Sequence, residues 1–119
     1  MIDCLGVQTT NVYSFREAVD RASVNGVPDF VIFDWIKVPD LNIPSLSTSQ
    51  AETKSCSVAA ASIVAKVIRD SLMETHYHPL YPEYGLAQHK GYGTKMHYEK
   101  LTEYGLSECH RRSFCGKLL

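Results

Sequence analysis

The sequence predicts an α/β fold in which a few strands pack with helices. The main observation is a continuous apolar run, Phe30 to Phe33, between segments with helical periodicity. Four residues are too few for a helix, and such a run fits a strand that helices bury on both faces of a parallel sheet. The predicted order is helix, strand, loop, helix, glycine-rich loop and helix, which is typical of an α/β protein with few strands. We expect a single domain over residues 1–119.

Two helices are predicted from the spacing of their apolar residues. The first covers Val12 to Ala22 and is expected to end near Gly26. The second and clearest covers Ser57 to Met73, where Ser55 or Ser57 can cap the first turn.

A loop and a last helix complete the predicted elements. The segment from Lys37 to Gln50 is rich in Pro, Ser and Thr and reads as a loop, with a short irregular strand near Ser45 to Thr48. Thr94 can cap the last helix, and Gly105 can end it. Its inner face is expected to hold Met96 or His97, Leu101 and Tyr104.

Composition excludes several classes of protein. No apolar run approaches the ~20 residues that span a bilayer, and no signal peptide is visible, so we expect a cytoplasmic protein without a membrane partner. The four cysteines form no C-x-x-C pair, so a structural zinc site is not expected. The net charge of −1 gives no global case for nucleic-acid binding. From residue 85 onward, however, the sequence has six Lys or Arg residues and only three Glu residues. This local excess of positive charge suits either phosphate contacts or a solvated surface.

Two aspartates are candidate metal ligands. Asp34 follows the apolar run directly, and ligands of α/β sheets gather at the carboxyl ends of strands. Asp70 lies on the long predicted helix, four residues after Lys66. The alternative for Lys66 and Asp70 is a surface ion pair worth only ~0.3–0.5 kcal/mol.

The glycine-rich stretch from His89 to Thr94 is a second candidate site. Glycines on both sides of Tyr92 let the backbone approach a ligand, and the tyrosine ring can stack on a sugar or a base. Thr94 precedes a helix N-terminus, which favours phosphate. The alternative is a plain turn with an exposed tyrosine. Arg111 and Arg112 are likewise either phosphate contacts or solvated charge.

Three segments in order resemble ribonuclease HII (type 2 ribonuclease H). The stretch from Ser57 to Asp70, SVAAASIVAKVIRD, is very similar to the helix signature of that family. Tyr84 to Thr94, YGLAQHKGYGT, resembles its downstream loop, and His110 to Phe114, HRRSF, resembles its C-terminal motif. Phe30 to Asp34 stands in the place of the strand that delivers a catalytic aspartate. Ala51-Glu52 looks like a weakened form of a short acidic motif before the helix.

The resemblance implies an incomplete ribonuclease H-like fold and an endonuclease. The implied reaction is hydrolysis of the RNA strand of RNA–DNA hybrids, including single ribonucleotides embedded in DNA, with two Mg²⁺ or Mn²⁺ ions. Asp34 and Asp70 would be catalytic residues and metal ligands. The implied substrate-binding residues are Lys66, Lys90, Tyr92, Thr94, Arg111 and Arg112. The full family domain is expected to be a monomer, and self-association is an alternative for this portion.

The sequence departs from the family pattern at two points. The family begins with a strand that carries an Asp-Glu pair and a Gly-Arg-Gly turn, and the sequence contains no such segment. Trp35 stands where the family usually has glycine, so its indole could block substrate. Two of four carboxylates should bind metal weakly, and we therefore expect little or no activity from this chain alone. The alternatives are a non-catalytic hybrid-binding module and a degenerate fragment with an open sheet edge.

Overall fold

The computed structural model describes residues 1–116, and these form two compact units that divide between Ser62 and Ile63. The prediction of one domain over 1–119 stays a prediction. The α-helices are α1 (Ile2–Leu5), α2 (Val7–Ser23), α3 (Ala51–Lys54), α4 (Cys56–Leu72), α5 (His78–Leu80), α6 (Leu86–His89) and α7 (Lys95–Tyr104). The strands are β1 (Val31–Asp34) and β2 (Ser45–Thr48). A π-helical turn covers Met73–Tyr77, and 3₁₀ turns cover Pro82–Tyr84 and Arg112–Phe114.

The first unit is built around a two-stranded parallel sheet. β1 pairs with β2 in a register that runs from Val31 opposite Ser45 to Asp34 opposite Thr48. Phe33 points into a small core with Val19 of α2 and Val38, and its ring lies edge-on to Phe15 at a centroid distance of 5.7 Å. The predicted α/β class, the parallel pairing and the short strand at Ser45–Thr48 are therefore confirmed.

Burial of the first strand differs from the prediction. Of the four residues of β1 only Phe33 is buried, while Ile32 is 36% exposed and Phe30, which precedes the strand, is 53% exposed. The expectation of a strand covered on both faces is therefore wrong for the described residues. The physical reason is that the described chain supplies only one other strand and packs one face of the sheet.

The first helix is longer than predicted, because its amino-terminal turns carry no apolar spacing. α2 begins at Val7 rather than Val12, directly after Gly6, whose φ of 77° lies in the left-handed region. Polar residues occupy positions 8–11, so periodicity could not reveal this part of the helix.

The second unit packs short helices around a core of Tyr84, Leu86 and Leu101. The Tyr84 hydroxyl donates a hydrogen bond to the Gly105 carbonyl oxygen at 3.1 Å, which ties the 3₁₀ turn to the end of α7. Thr94 caps α7 as predicted, since its hydroxyl oxygen accepts a hydrogen bond from the His97 amide at 3.3 Å.

The inner face of α7 is only partly as expected. His97 and Leu101 are buried, but Tyr104 is 50% exposed, so its predicted place on that face is wrong. The Tyr104 ring instead packs edge-on to Tyr84 at the rim of the core. Within residues 1–116, no helix combines the length and the apolar character needed to cross a membrane.

Candidate functional site

Asp34 lies at the carboxyl end of β1, where the first unit places several hydrogen-bond donors. Its Oδ1 atom accepts a hydrogen bond from the Ala51 amide at 3.0 Å. The sheet register holds this end of the strand, because the Trp35 amide donates to the Thr48 carbonyl oxygen at 2.9 Å. The Ala51 amide, followed by the Glu52 side chain, holds the pKa of Asp34 below its usual value. Asp34 is therefore an ionised carboxylate at neutral pH.

Glu52 is a candidate residue that lies outside the predicted ligand set. It belongs to the first turn of α3 and directly follows Ala51, whose amide donates to Asp34, and its side chain contributes to the lowered pKa of Asp34. Gln50, with a φ of 54°, turns the chain so that α3 starts beside the end of β1. The resemblance of Ala51-Glu52 to a short acidic motif was the available signal in the sequence. The spacing of the residues gives no such signal, because Ala51 lies 17 positions after Asp34.

Trp35 adopts a left-handed backbone conformation with a φ of 63°. Glycine reaches this region without a steric cost, whereas a residue with a Cβ atom does not. The departure from the family's usual glycine therefore falls on a position where glycine fits the backbone best. The indole is 71% exposed and lies next to Asp34 in the chain, so it gains little packing energy in return.

The second unit brings Lys66, Arg69 and Tyr92 together around Asp70. Lys66 Nζ donates to Asp70 Oδ2, and Arg69 donates to Oδ1 at 3.0 Å. The same two cations face the Tyr92 ring, with Lys66 Nζ 4.9 Å and Arg69 Cζ 4.6 Å from its centroid. The tyrosine is 47% exposed and available for stacking.

Charges in this cluster stabilise one another. The hydrogen bond from Lys66 holds the pKa of Asp70 below its usual value. The Asp70 carboxylate, and then Tyr92, raise the pKa of Lys66. Both oxygens of Asp70 are therefore engaged by cations, and a metal ion at this carboxylate would compete with them.

Gly91 is needed for the close approach of the glycine-rich loop to α4. Its φ is 78°, and a Cβ atom there would come within 3.0 Å of the Met73 Cε atom and 3.5 Å of an Arg69 guanidinium nitrogen. A larger residue at this position would have to adopt a strained left-handed φ and displace the end of the Met73 side chain. The close approach that the structure shows is to the protein itself, and the predicted approach of this loop to a ligand stays a prediction.

The other predicted substrate-binding residues are placed as follows. Lys90 Nζ donates to the Ala87 carbonyl oxygen at 2.6 Å and pairs with Glu74, so its charge is already partnered within the unit. Thr94 caps α7. The Arg111 Cζ atom lies 5.6 Å from the centroid of the Phe114 ring, and Arg111 lines a cavity of about 760 Å³. Arg112 begins the following 3₁₀ turn.

The residues at hand fit a divalent cation in type and only partly in number. Mg²⁺ and Mn²⁺ prefer hard oxygen ligands, which the carboxyl groups of Asp34 and Glu52 supply. Among residues 1–116, no group of three or more His, Cys, Asp or Glu side chains is arranged to hold a metal ion. The first unit therefore offers a partial carboxylate site.

Comparison with known proteins gives a consistent result. The family described as ribonuclease HII matches residues 11–117. A ribonuclease HII from Dehalococcoides mccartyi is 41% identical over 113 residues, which are 95% of this chain and 52% of that protein. One from Alkaliphilus metalliredigens is 42% identical over 123 aligned residues, covering 100% of this chain and 59% of that protein.

A third relative and the shared coverage complete the comparison. A ribonuclease HII from Chlamydia pneumoniae is 41% identical over 119 residues and is matched over 55% of its length. The chain thus spans about half the length of the curated relatives that it matches. The family match over nearly the whole sequence and these identities show that the chain belongs to the ribonuclease HII family.

Proposed function

We propose that this chain takes part in the endonucleolytic hydrolysis of the RNA strand of RNA–DNA hybrids, including single ribonucleotides embedded in DNA, in the cytoplasm. The observation that carries the proposal is the Asp34–Glu52 carboxyl pair at the end of β1, in a chain of this family. The names of the relatives support the class of reaction, and the cationic cluster around Tyr92 supports a polyanionic substrate.

In the proposed mechanism, Asp34 and Glu52 would hold a divalent cation, Mg²⁺ or Mn²⁺. The Ala51 amide lowers the pKa of Asp34 and fixes the orientation of its carboxylate. Bound cations of this kind would activate water and stabilise the leaving oxygen. Asp70 remains the second predicted ligand, and to serve as one it would exchange its contacts with Lys66 and Arg69 for the metal.

The second unit would recognise the substrate in this mechanism. The exposed face of Tyr92 can stack on a sugar or a base, while Lys66 and Arg69 keep the ring in place and supply positive charge for a phosphate. Thr94 at the start of α7 and the Arg111–Arg112 pair would add phosphate contacts. Lys90 would act mainly through its partners Glu74 and Ala87, which hold the loop.

The metal role of the carboxyl pair is tested with Mn²⁺, whose unpaired electrons broaden nearby NMR signals. We expect selective loss of the Asp34 and Glu52 signals during a Mn²⁺ titration of the 119-residue chain. The exposed Glu17, which pairs with Arg21, serves as the internal control. Asp34→Asn should abolish the effect, and Glu52→Gln should weaken it about tenfold or more, because each removes a charged ligand. Equal broadening at Glu17 and Asp34 would refute the proposed site.

A non-catalytic hybrid-binding module remains the second candidate function. The Tyr92 cluster that favours it lies entirely in the second unit and does not depend on the carboxyl pair. Binding of a duplex with one embedded ribonucleotide, with a steep salt dependence and without any Mn²⁺ effect at Asp34, would favour this module over the nuclease.

A further inference from the structure

Three histidines lie in contact with one another in the second unit, beside the Tyr92 loop. The rings of His89 and His97 lie nearly parallel, 17° apart in plane, with centroids separated by 4.2 Å. The His97 and His110 Nε2 atoms face each other at 3.2 Å. His89 and His97 are 5% and 7% exposed, so their polar atoms must find partners within the protein. We call these residues the histidine triad.

Each of the remaining ring nitrogens of the triad has a backbone partner. His89 Nε2 lies 2.7 Å from the Tyr84 carbonyl oxygen, and its Nδ1 accepts from the Gly91 amide at 3.1 Å. His97 Nδ1 lies 3.0 Å from the Tyr92 carbonyl oxygen. His110 Nδ1 accepts a hydrogen bond from the Ser107 amide at 3.1 Å.

These partners determine which nitrogen carries the proton on each ring. A carbonyl oxygen only accepts, so the proton is on Nε2 of His89 and on Nδ1 of His97. A neutral His97 therefore presents a bare Nε2 to His110, and the His110 Nε2–H must donate to it. That leaves Nδ1 of His110 bare, as the Ser107 amide requires. All three rings are satisfied only in this single neutral arrangement.

We propose, resting on the function proposed above, that His97 is a positioning residue for Tyr92 and that His110 holds His97 in the required tautomer. The bond from His97 Nδ1–H fixes the Tyr92 carbonyl group, and His89 fixes the adjacent Gly91 amide. The triad thereby fixes the backbone before and after the Tyr92 side chain, at the Gly91 amide and at the Tyr92 carbonyl group. His110 is followed directly by Arg111 and Arg112, so the same contact links the loop to the C-terminal basic segment.

Protonation of any member would break this arrangement. The added proton on His97 or His110 would face an N–H group across the existing contact, and the one on His89 would face the Gly91 amide. No carboxylate within residues 1–116 forms an ion pair with the triad and could offset the charge. The titratable or charged groups around it are Arg69, Tyr84, Tyr98, Glu108, Cys109 and Arg111.

The direction of the pH dependence follows from this geometry. Burial lowers the pKa of His97 and of His110 below 6.5; the His89 ring lowers both further, and the His97 ring lowers that of His110. The unfolded chain therefore takes up protons before the folded chain does. The contribution of His97 and His110 to stability is complete above pH 6.5 and is lost as pH falls through their lowered folded-state pKa values.

The tautomers are measured by long-range ¹H–¹⁵N NMR on the histidine-labelled 119-residue chain at pH 7.5. We expect a proton on Nδ1 of His97 and on Nε2 of His89 and His110, while the exposed His76 serves as the reference for an unconstrained ring. His97 and His110 should stay neutral at pH 6.5. A proton on Nε2 of His97 at pH 7.5, or a His97 ring that is already half protonated at pH 6.5, would overturn the proposal irrespective of any nuclease function.

The positioning role is measured by the affinity for a duplex with one embedded ribonucleotide. Acid normally strengthens binding of a polyanion, but here affinity should fall below pH 6.5 as the Tyr92 loop is released. His97→Phe should bind about tenfold more weakly at pH 7.5, as expected for loss of one buried hydrogen bond. His97→Asn, whose amide can still donate to Tyr92, should retain most of the affinity and lose the acid weakening.

The two proposals fail in different ways. If the chain binds no hybrid at any pH while the tautomers are as expected, the proposed function fails and the structural triad stands without its positioning role. If hybrid binding is tight but His97→Phe binds as well as the unsubstituted chain, the positioning role is refuted. Circular dichroism of each variant shows whether a loss of binding reflects loss of the fold, and the unsubstituted chain alone decides the tautomers.

Discussion

At the scale of single residues, Asp34 and the residues next to it define the first half of the candidate site. The sequence predicted that Asp34 would end a strand, and the structure adds the Ala51 amide and the Glu52 carboxyl group. These partners belong to α3, which follows β1 after a loop and β2, and no periodic pattern in the sequence predicts such a contact. The metal-ligand role of Asp34 and Asp70 stays a prediction, as do the roles of the substrate-binding residues.

Trp35 provides a prediction about stability at this scale. A left-handed φ destabilises a residue with a side chain by ~1–2 kcal/mol. Replacing it with glycine removes this strain, but the greater freedom of glycine in the unfolded state offsets ~0.5–1 kcal/mol of the gain. We therefore expect Trp35→Gly to stabilise the chain by about 0.5–1 kcal/mol in urea unfolding followed by circular dichroism. Trp35→Phe keeps the strained φ and should change little. A Trp35→Gly chain less stable than the Phe variant would show that an aromatic side chain at this position contributes packing that offsets the strain.

The histidine triad shows what the sequence could not reveal at the residue scale. The sequence shows that His89, His97 and His110 lie near a loop or a helix, but their contacts with one another depend on how three different segments of chain fold together. The resemblance to the family drew attention to the neighbouring tyrosine and arginines instead. Tautomers can be assigned only when the acceptor of every ring nitrogen is known.

At the scale of elements, α7 offers the sharpest case of a sequence signal that the structure confirms. Threonine at the N-cap satisfies an amide that the helix leaves without a partner, and the observed bond goes to His97. The same turn therefore carries both the cap and the ring that contacts Tyr92. The cap should influence how firmly α7 holds its first turn.

We expect Thr94→Ala to destabilise α7 by ~1 kcal/mol, whereas Thr94→Ser keeps the hydroxyl and should behave like the unsubstituted chain. Amide hydrogen exchange measures this directly, and the α7 amides should exchange about fivefold faster in the alanine variant, as a loss of that size requires. Equal exchange in the alanine and serine variants would mean that the cap bond contributes nothing measurable to the helix.

Other elements were predicted less well, for identifiable reasons. Periodicity located the long helices because their apolar spacing repeats over several turns. The one-turn helices α3, α5 and α6 and the π-helical turn after α4 are too short to repeat any spacing. The exposed faces of β1 were mispredicted because an apolar strand is normally buried on both sides when helices cover it.

At the scale of the whole molecule, the described chain leaves much apolar surface uncovered. Four residues of α4, namely Ile63, Val64, Val67 and Ile68, are between 55% and 65% exposed. Apolar surface of this extent usually contacts other protein. The curated relatives are about twice as long as this chain, so the alternatives of partial activity and self-association depend on what covers this face.

The most direct test of the proposed nuclease is cleavage of a duplex with one embedded ribonucleotide. It compares this chain alone with a chimera that joins it to the unmatched part of the Dehalococcoides mccartyi relative. We predict little or no cleavage by the chain alone, and Mg²⁺- or Mn²⁺-dependent cleavage by the chimera that Asp34→Asn lowers at least ~100-fold, as loss of a catalytic metal ligand requires. An all-DNA duplex should stay intact. Cleavage by a folded chimera that is insensitive to Asp34→Asn would contradict the proposed nuclease. Robust Mg²⁺-dependent cleavage by the chain alone that disappears in Asp70→Asn would instead overturn the expectation of little or no activity from this chain.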